Sequence, residues 1–232
     1  MADGAGADVA RQAAALARAV AVMDRLRSPG GCPWDARQTH DSLLPYAVEE
    51  AHELVEAVEA ADRAGIREEL GDVLLQVLFH ARVAAEDGDD PFDVADVADG
   101  LVAKLVRRHP HVFADEVGPE PDAGDVHERW EQLKRAEKPA RTSALDGVPT
   151  SMGALARAQK LVAKADRAGL LPSAPLPVAG VPGTGTGTDT PEGIGEAVLA
   201  LVAAAHAAGV DAEAALRRAT ATWEAAARRS ES

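Results

Sequence analysis

Four acidic positions carry the chemistry this sequence can do. Glu49-Glu50-Ala51-His52-Glu53 is followed, after fifteen residues, by Glu69-Leu70-Gly71-Asp72. At helical spacing Glu50 with Glu53, and Glu69 with Asp72, form two i,i+3 pairs on consecutive helices, so four carboxylates converge on one space. Carboxylate oxygens suit a hard divalent cation, and a cation gripped in that way suits the neutralisation of phosphate oxygens. Metal-assisted phosphate chemistry is the reading these residues support.

The elements that must position them are helical. Alanine and leucine dominate, apolar residues recur at three and four positions, and no alternating β-branched runs occur, so the fold class is all-α, an antiparallel helical bundle. The first helix is expected over Val9 to Arg27, with Leu16, Val20, Met23 and Leu26 on one stripe and Pro29-Gly30-Gly31 ending it. Polar caps at Thr39 to Ser42, and Pro45 in the first turn, announce the second, which carries Glu49, Glu50 and Glu53 and is expected to be capped by Gly65. The third, Ile66 to about Asp87, is apolar around most of its circumference, the mark of a central helix. Glu69, Asp72 and Gln76 interrupt it along one face, and a carboxylate in such surroundings demands a partner. A fourth helix, Pro91 to Arg108, is expected to turn Leu101 and Leu105 inward while Lys104, Arg107 and Arg108 form the densest basic cluster. Asp125 to Lys138 reads as a short helix with Trp130, Leu133 and Lys134 on adjacent positions.

The second half repeats the first faintly. Glu68-Glu69-Leu70-Gly71-Asp72-Val73-Leu74-Leu75 can be laid on Glu192-Gly193-Ile194-Gly195-Glu196-Ala197-Val198-Leu199, with Gly193 for Glu69 and Glu196 for Asp72. A Pro/Gly/Thr-rich stretch, 171–190, stands where a counterpart of the Glu49-to-Glu53 segment would be. The expected domains are a catalytic helical domain over 8–140 and a degenerate helical region over 141–232, with helices near Ser151 to Gly169, Glu192 to Ala208 and Asp211 to Arg229.

Composition bounds the partners. A formal charge of −14 over 232 residues argues against a nucleic-acid backbone or an anionic membrane. No stretch is apolar over the roughly 20 residues needed to span hydrocarbon. With Cys32 the sole cysteine and no signal-like start, a cytoplasmic location is expected.

These residues resemble the MazG family of nucleoside triphosphate pyrophosphohydrolases, whose motif is Glu-Glu-x-x-Glu followed by Glu-x-x-Asp. Gly-Cys-Pro-Trp-Asp at 31–35, Arg-Arg-His-Pro-His-Val-Phe at 107–113 and Trp-Glu-x-x-Lys at 130–134 look like the family's own strings. The resemblance implies the all-α NTP pyrophosphatase fold, a homodimer, and Mg²⁺-dependent hydrolysis of a nucleoside triphosphate to monophosphate and pyrophosphate, with Mn²⁺ an alternative ion and care of the nucleotide pool the role. It implies Glu50, Glu53, Glu69 and Asp72 as metal ligands. Glu49, beside Glu50 and Glu53 in the catalytic segment, is the candidate to orient water. Lys104, Arg107, Arg108 and Lys134 are candidates for phosphate binding, and Trp34 and Trp130 for stacking on the base. Two rivals stand beside this reading: a non-catalytic nucleotide-binding module of the same fold, and a di-iron bundle suggested by Glu49-x-x-His52, which lacks the second Glu-x-x-His such sites use.

Overall fold

The computed structural model describes residues 2–113, 142–171 and 190–231. All regular structure among them is helical. The chain divides between Asp122 and Ala123 into two compact units; that division and the boundary expected at 140–141 both fall outside the described residues, as do the expected helix over Asp125 to Lys138 and nearly all of the 171–190 stretch.

In the first unit α1 spans Ala2–Arg27, a 3₁₀ turn Asp35–Arg37, α2 His40–Glu59, α3 Arg63–Ala84, α4 Val94–Arg108 and α5 Pro110–Phe113. α1 starts earlier than Val9, through a segment whose Gly4 and Gly6 disfavour a helix but which holds no proline to stop one. α2 is entered through a reciprocal cap: the Thr39 hydroxyl accepts from the Ser42 N–H, and the Ser42 hydroxyl from the Thr39 N–H. That cap puts Pro45 one turn deeper than expected, inside the helix, where it cannot donate to the Asp41 carbonyl.

The α2–α3 turn departs from expectation in an informative way. The left-handed residue is Ala61, at φ 54°, and Asp62 caps α3 by accepting from the Ala64 N–H. Gly65 is therefore not a cap but a first-turn residue of α3. A Cβ there would come within 2.8 Å of Asp62 Oδ2 and 3.3 Å of the Ala57 methyl, so glycine allows the two helices to approach closely just past the turn. α2 and α3 form the most extensive helix pair, and α1 and α4 each pack on α3.

The core joins Met23 of α1, Leu43 of α2, and Leu78 and Phe79 of α3, with Ala19, Leu74, Val83 and Val94 against them. α3 is less enclosed than its composition suggests: Leu70, Leu75 and Val77 are exposed, as are Val48 and Val58 of α2. Leu101 and Leu105, expected inward, are 47% and 43% exposed. Three neighbours cannot cover α3 on all sides, and α4 meets it along only part of its own apolar stripe.

One arginine fastens the end of this bundle. The Arg27 side chain, 6% exposed, donates to the carbonyls of Asp35 at 2.7 Å and Gln38 at 2.9 Å and pairs with both carboxylate oxygens of Glu86, at 3.0 and 2.8 Å. α1, the loop before α2 and the end of α3 are thus tied by one guanidinium. Arg82 adds bonds to Glu86 and Asp24, and the Arg27 hydrogen bond leads the effects holding Glu86 below the ordinary carboxylate range.

The second unit contains α6 (Ala154–Arg167), α7 (Pro191–Ala207) and α8 (Ala212–Ser230), close to the expected spans. Val162, Ala200 and Val202 are buried in it. Gln159 of α6 anchors the start of α8: its Oε1 accepts from the Ala212 N–H at 2.7 Å, and its Nε2 donates to Asp211 at 2.9 Å.

Arg27→Met should cost about 2–3 kcal/mol in urea denaturation, because it removes the buried donor to the Gln38 carbonyl and takes one donor each from the Asp35 carbonyl and the Glu86 carboxylate. Glu86→Gln, at the exposed end of the same contact, should cost less than about 1 kcal/mol.

Candidate metal centre

Helical spacing does most of the placement. Glu69 and Asp72 lie i,i+3 on α3, and the antiparallel run of α2 brings Glu50 opposite them. One carboxylate oxygen from each of the three lies within 4.8 Å of the other two, and all three side chains are half-buried.

Charge accumulates there without relief. The Glu50 carboxyl is pushed above its ordinary range first by desolvation, then by the negative charges of Asp72, Glu53, Glu69 and Glu49. Glu69 is raised likewise, by desolvation and then by Glu53, Asp72 and Glu68. Among the described residues, the charges that raise these two groups are all negative. Three half-buried carboxylates held this close disfavour joint ionisation unless a cation lies between them. The donor set is all oxygen, which fits Mg²⁺, Mn²⁺ or Ca²⁺ and not a thiolate- or imidazole-seeking metal.

The other candidates are placed as follows. Glu53, one turn along α2 from Glu50, is exposed and lies beside the trio, near enough for its charge to act on both Glu50 and Glu69. Glu49 is exposed next to Glu50. Lys104 and Arg107 are exposed on α4 and Arg108 is half-buried; none is among the charges acting on Glu50 or Glu69. Trp34 is 45% exposed and stands edge-on to Tyr46 at 6.2 Å and to Phe79 at 6.3 Å. Trp130 and Lys134 lie outside the described residues. His52 is exposed and takes no part in the trio, so the pattern behind the di-iron alternative brings no imidazole to it.

Sequence reading passed over two features. Tyr46, one turn before Glu50 on α2, is the aromatic neighbour of Trp34. His40 and His80, forty positions apart, meet with stacked rings and an Nδ1···Nδ1 distance of 2.7 Å. The antiparallel register that puts Glu50 beside Asp72 also puts residue 40 beside residue 80, so the signal lay in the register once the turn was located. The head-on nitrogens share a proton, which requires at least one of the rings to be neutral. In keeping with that, burial and His40 both hold His80 below its ordinary range.

The MazG nucleotide pyrophosphohydrolase domain is matched by residues 38–113, which contain all three converging carboxylates. A 26.1 kDa Streptomyces cacaoi protein described only as uncharacterized is 48% identical over 218 residues, covering 94% of this chain and 83% of its own. The nucleoside triphosphate pyrophosphohydrolase of Mycolicibacterium smegmatis is 50% identical over 157 residues, covering 67% of this chain and 47% of that one. That of Escherichia coli K12 is 47% identical over 148 residues, covering 62% and 54%. The chain spans about half the length of these named pyrophosphohydrolases. A mazG-related protein from Thermotoga maritima superposes with a TM-score of 0.40 at 30% identity, over 47% of this chain and 91% of that one. With the acidic motif, the helical pair that carries it and these sequence matches together, the chain belongs to the MazG family of nucleotide pyrophosphohydrolases.

Proposed function

We propose that this chain hydrolyses nucleoside triphosphates to the monophosphate and pyrophosphate, using Mg²⁺ or Mn²⁺, in the service of the nucleotide pool of the cytoplasm. The observation that carries the reading is the convergence of Glu50, Glu69 and Asp72 from two helices, an arrangement whose electrostatic cost a divalent cation removes. When bound, the ion supplies charge neutralisation to the phosphate oxygens and acidity to the attacking water.

The chain's own residues do the rest. Glu50, Glu69 and Asp72 hold the ion, with Glu53 as a fourth acid at the rim. Glu49, exposed and adjacent, is the group to orient water and take its proton. The water oxygen forms a bond to one of the two phosphorus atoms of the α–β bridge, the P–O bond from that phosphorus to the bridging oxygen breaks, and its electron pair leaves on the other product, pyrophosphate for attack at the α phosphorus or the nucleoside monophosphate for attack at the β. Lys104, Arg107 and Arg108 serve to neutralise that departing charge, arginine by bidentate contact and lysine as a point charge. Trp34, with Tyr46 behind it, offers a ring face to the base; Trp130 and Lys134 join this set through the family resemblance alone.

The active form is a homodimer in this reading. Leu44 and Val48 on α2, and Leu101, Val102, Leu105 and Val106 on α4, leave more apolar surface exposed than isolated residues would. A second copy carries the same stripes, and two copies of one self-complementary face bury both at once.

Asp72→Asn should lower Mg²⁺-dependent release of pyrophosphate by about 100-fold or more while leaving the helical circular dichroism unchanged, since loss of groups that merely orient ligands already costs about 10–100-fold. Undiminished activity would end the metal reading.

The raised Glu50 and Glu69 set a sign for pH. The fold binds protons there more tightly than the unfolded chain, so without metal these groups favour the fold at acid pH. That contribution is lost as pH climbs from the ordinary carboxylate range through their raised values. A cation must displace those protons, so the rise in Tm on adding Mg²⁺ should be larger at about pH 7.5 than at about pH 5.

Light scattering should give twice the chain's mass, and Leu101→Asp with Leu105→Asp should reduce it to a single chain.

A further inference from the structure

Gln76 is a buried polar residue of the first unit for which neither the mechanism nor the packing has a use. Gln76 of α3 is 8% exposed, and its Oε1 has no hydrogen-bond partner. A buried acceptor without a donor weakens the fold, so its place calls for an explanation.

Its position supplies one. Gln76 follows Glu69 by seven residues and Asp72 by four, and so shares the α3 face that meets Glu50 of α2. At 1.5 Å per residue it stands about 6 Å beyond Asp72 along the seam. The register fixed by Glu50 beside Asp72, and by His40 against His80, sets Tyr46 opposite the stretch from Leu74 to Gln76. Tyr46, 40% exposed, is the edge partner of Trp34. An unsatisfied acceptor and an accessible aromatic pair thus lie at one level, a single helical turn from the carboxylates. In a nucleotide the nucleoside is likewise the next unit after the α-phosphate.

We propose that Gln76 is a specificity-determining residue: its carboxamide oxygen accepts a hydrogen bond from an N–H or O–H of the substrate's nucleoside. This rests on the pyrophosphohydrolase reading and adds to it the part of the substrate that is read. An acceptor selects for a donor, so the group recognised is a base N–H, either an exocyclic amine or the ring N–H of guanine, hypoxanthine or uracil, or a sugar hydroxyl. Carbonyl groups at the same place would leave two oxygens facing each other.

The test uses the full chain with Mg²⁺ and compares kcat/KM across ATP and ITP, CTP and UTP, and the ribo-, 2′-deoxy- and 3′-deoxy forms of the favoured base. Removing the recognised donor should cost the natural protein about tenfold or more, and in Gln76→Met, of similar volume and without an acceptor, that ratio should fall toward one. Tm without ligand should hold or rise in the variant, because an unpaired buried acceptor has gone. A natural protein that hydrolyses every member alike, or a Gln76→Met variant that keeps the original ratios or loses the same factor on each substrate, overturns the proposal and leaves the hydrolase reading intact. A preference for inosine or uridine that vanishes in Gln76→Met supports the proposal and assigns the ring N–H as the donor. A natural protein inert toward the whole panel overturns both readings.

Discussion

Repulsion among Glu50, Glu69 and Asp72 is the constraint around which the first unit is built. Left to themselves the three carboxylates would part, and among the described residues the charges acting on Glu50 and Glu69 are themselves acidic. What holds them is the rigidity of the α2–α3 pair. At one end the helices are joined by the tight turn through Ala61 and Asp62; at the other, the Leu43, Leu78 and Phe79 core and the His40–His80 contact pin them. Arg27 then ties the loop leading into α2 to the end of α3. The fold supplies, by packing, the work of assembling like charge, which a cation then recovers on binding.

Much of this was open to reading from local spacing, and what was not depended on contacts between distant residues. The nearness of Glu69 to Asp72 was legible because helical periodicity alone puts them on one face, and the α7 and α8 helices were visible in the capping residues Thr190 and Asp211. Gly65 misled because glycine has two uses: it was read as a left-handed cap, whereas Ala61 takes that conformation and Gly65 serves a close approach. Leu101 and Leu105 misled in another way, since an apolar stripe states that a face wants cover without stating that the same chain provides it. The His40–His80 contact needed the register of two helices, which no local window contains. The ligand set was read as four acids; three meet, and Glu53 stands at their edge.

The second unit shows what the fold does without that constraint. Where α3 has Glu69 and Asp72, the aligned segment of α7 has Gly193 and Glu196, and Glu196 is exposed. Its ordering comes instead from neutral polar bonds, the Gln159 bridge to the start of α8, and from the contact of His206 with Asp166 at 3.0 Å. A helical segment relieved of assembling carboxylates can hold itself together by ordinary caps and packing.

Gly65 has a wider consequence. It lies one turn from Glu69, and the missing side chain sets how near the start of α3 comes to α2 at Ala57. A single methyl group there would act as a wedge at the hinge of the pair, and because helices are stiff, the gap would open along the seam and reach the acids a turn away. The spacing between oxygen atoms that face a metal is thus gauged at a residue bearing no functional group at all. Substitutions that spare every acid could still disarm the site by altering the clearance at that one point.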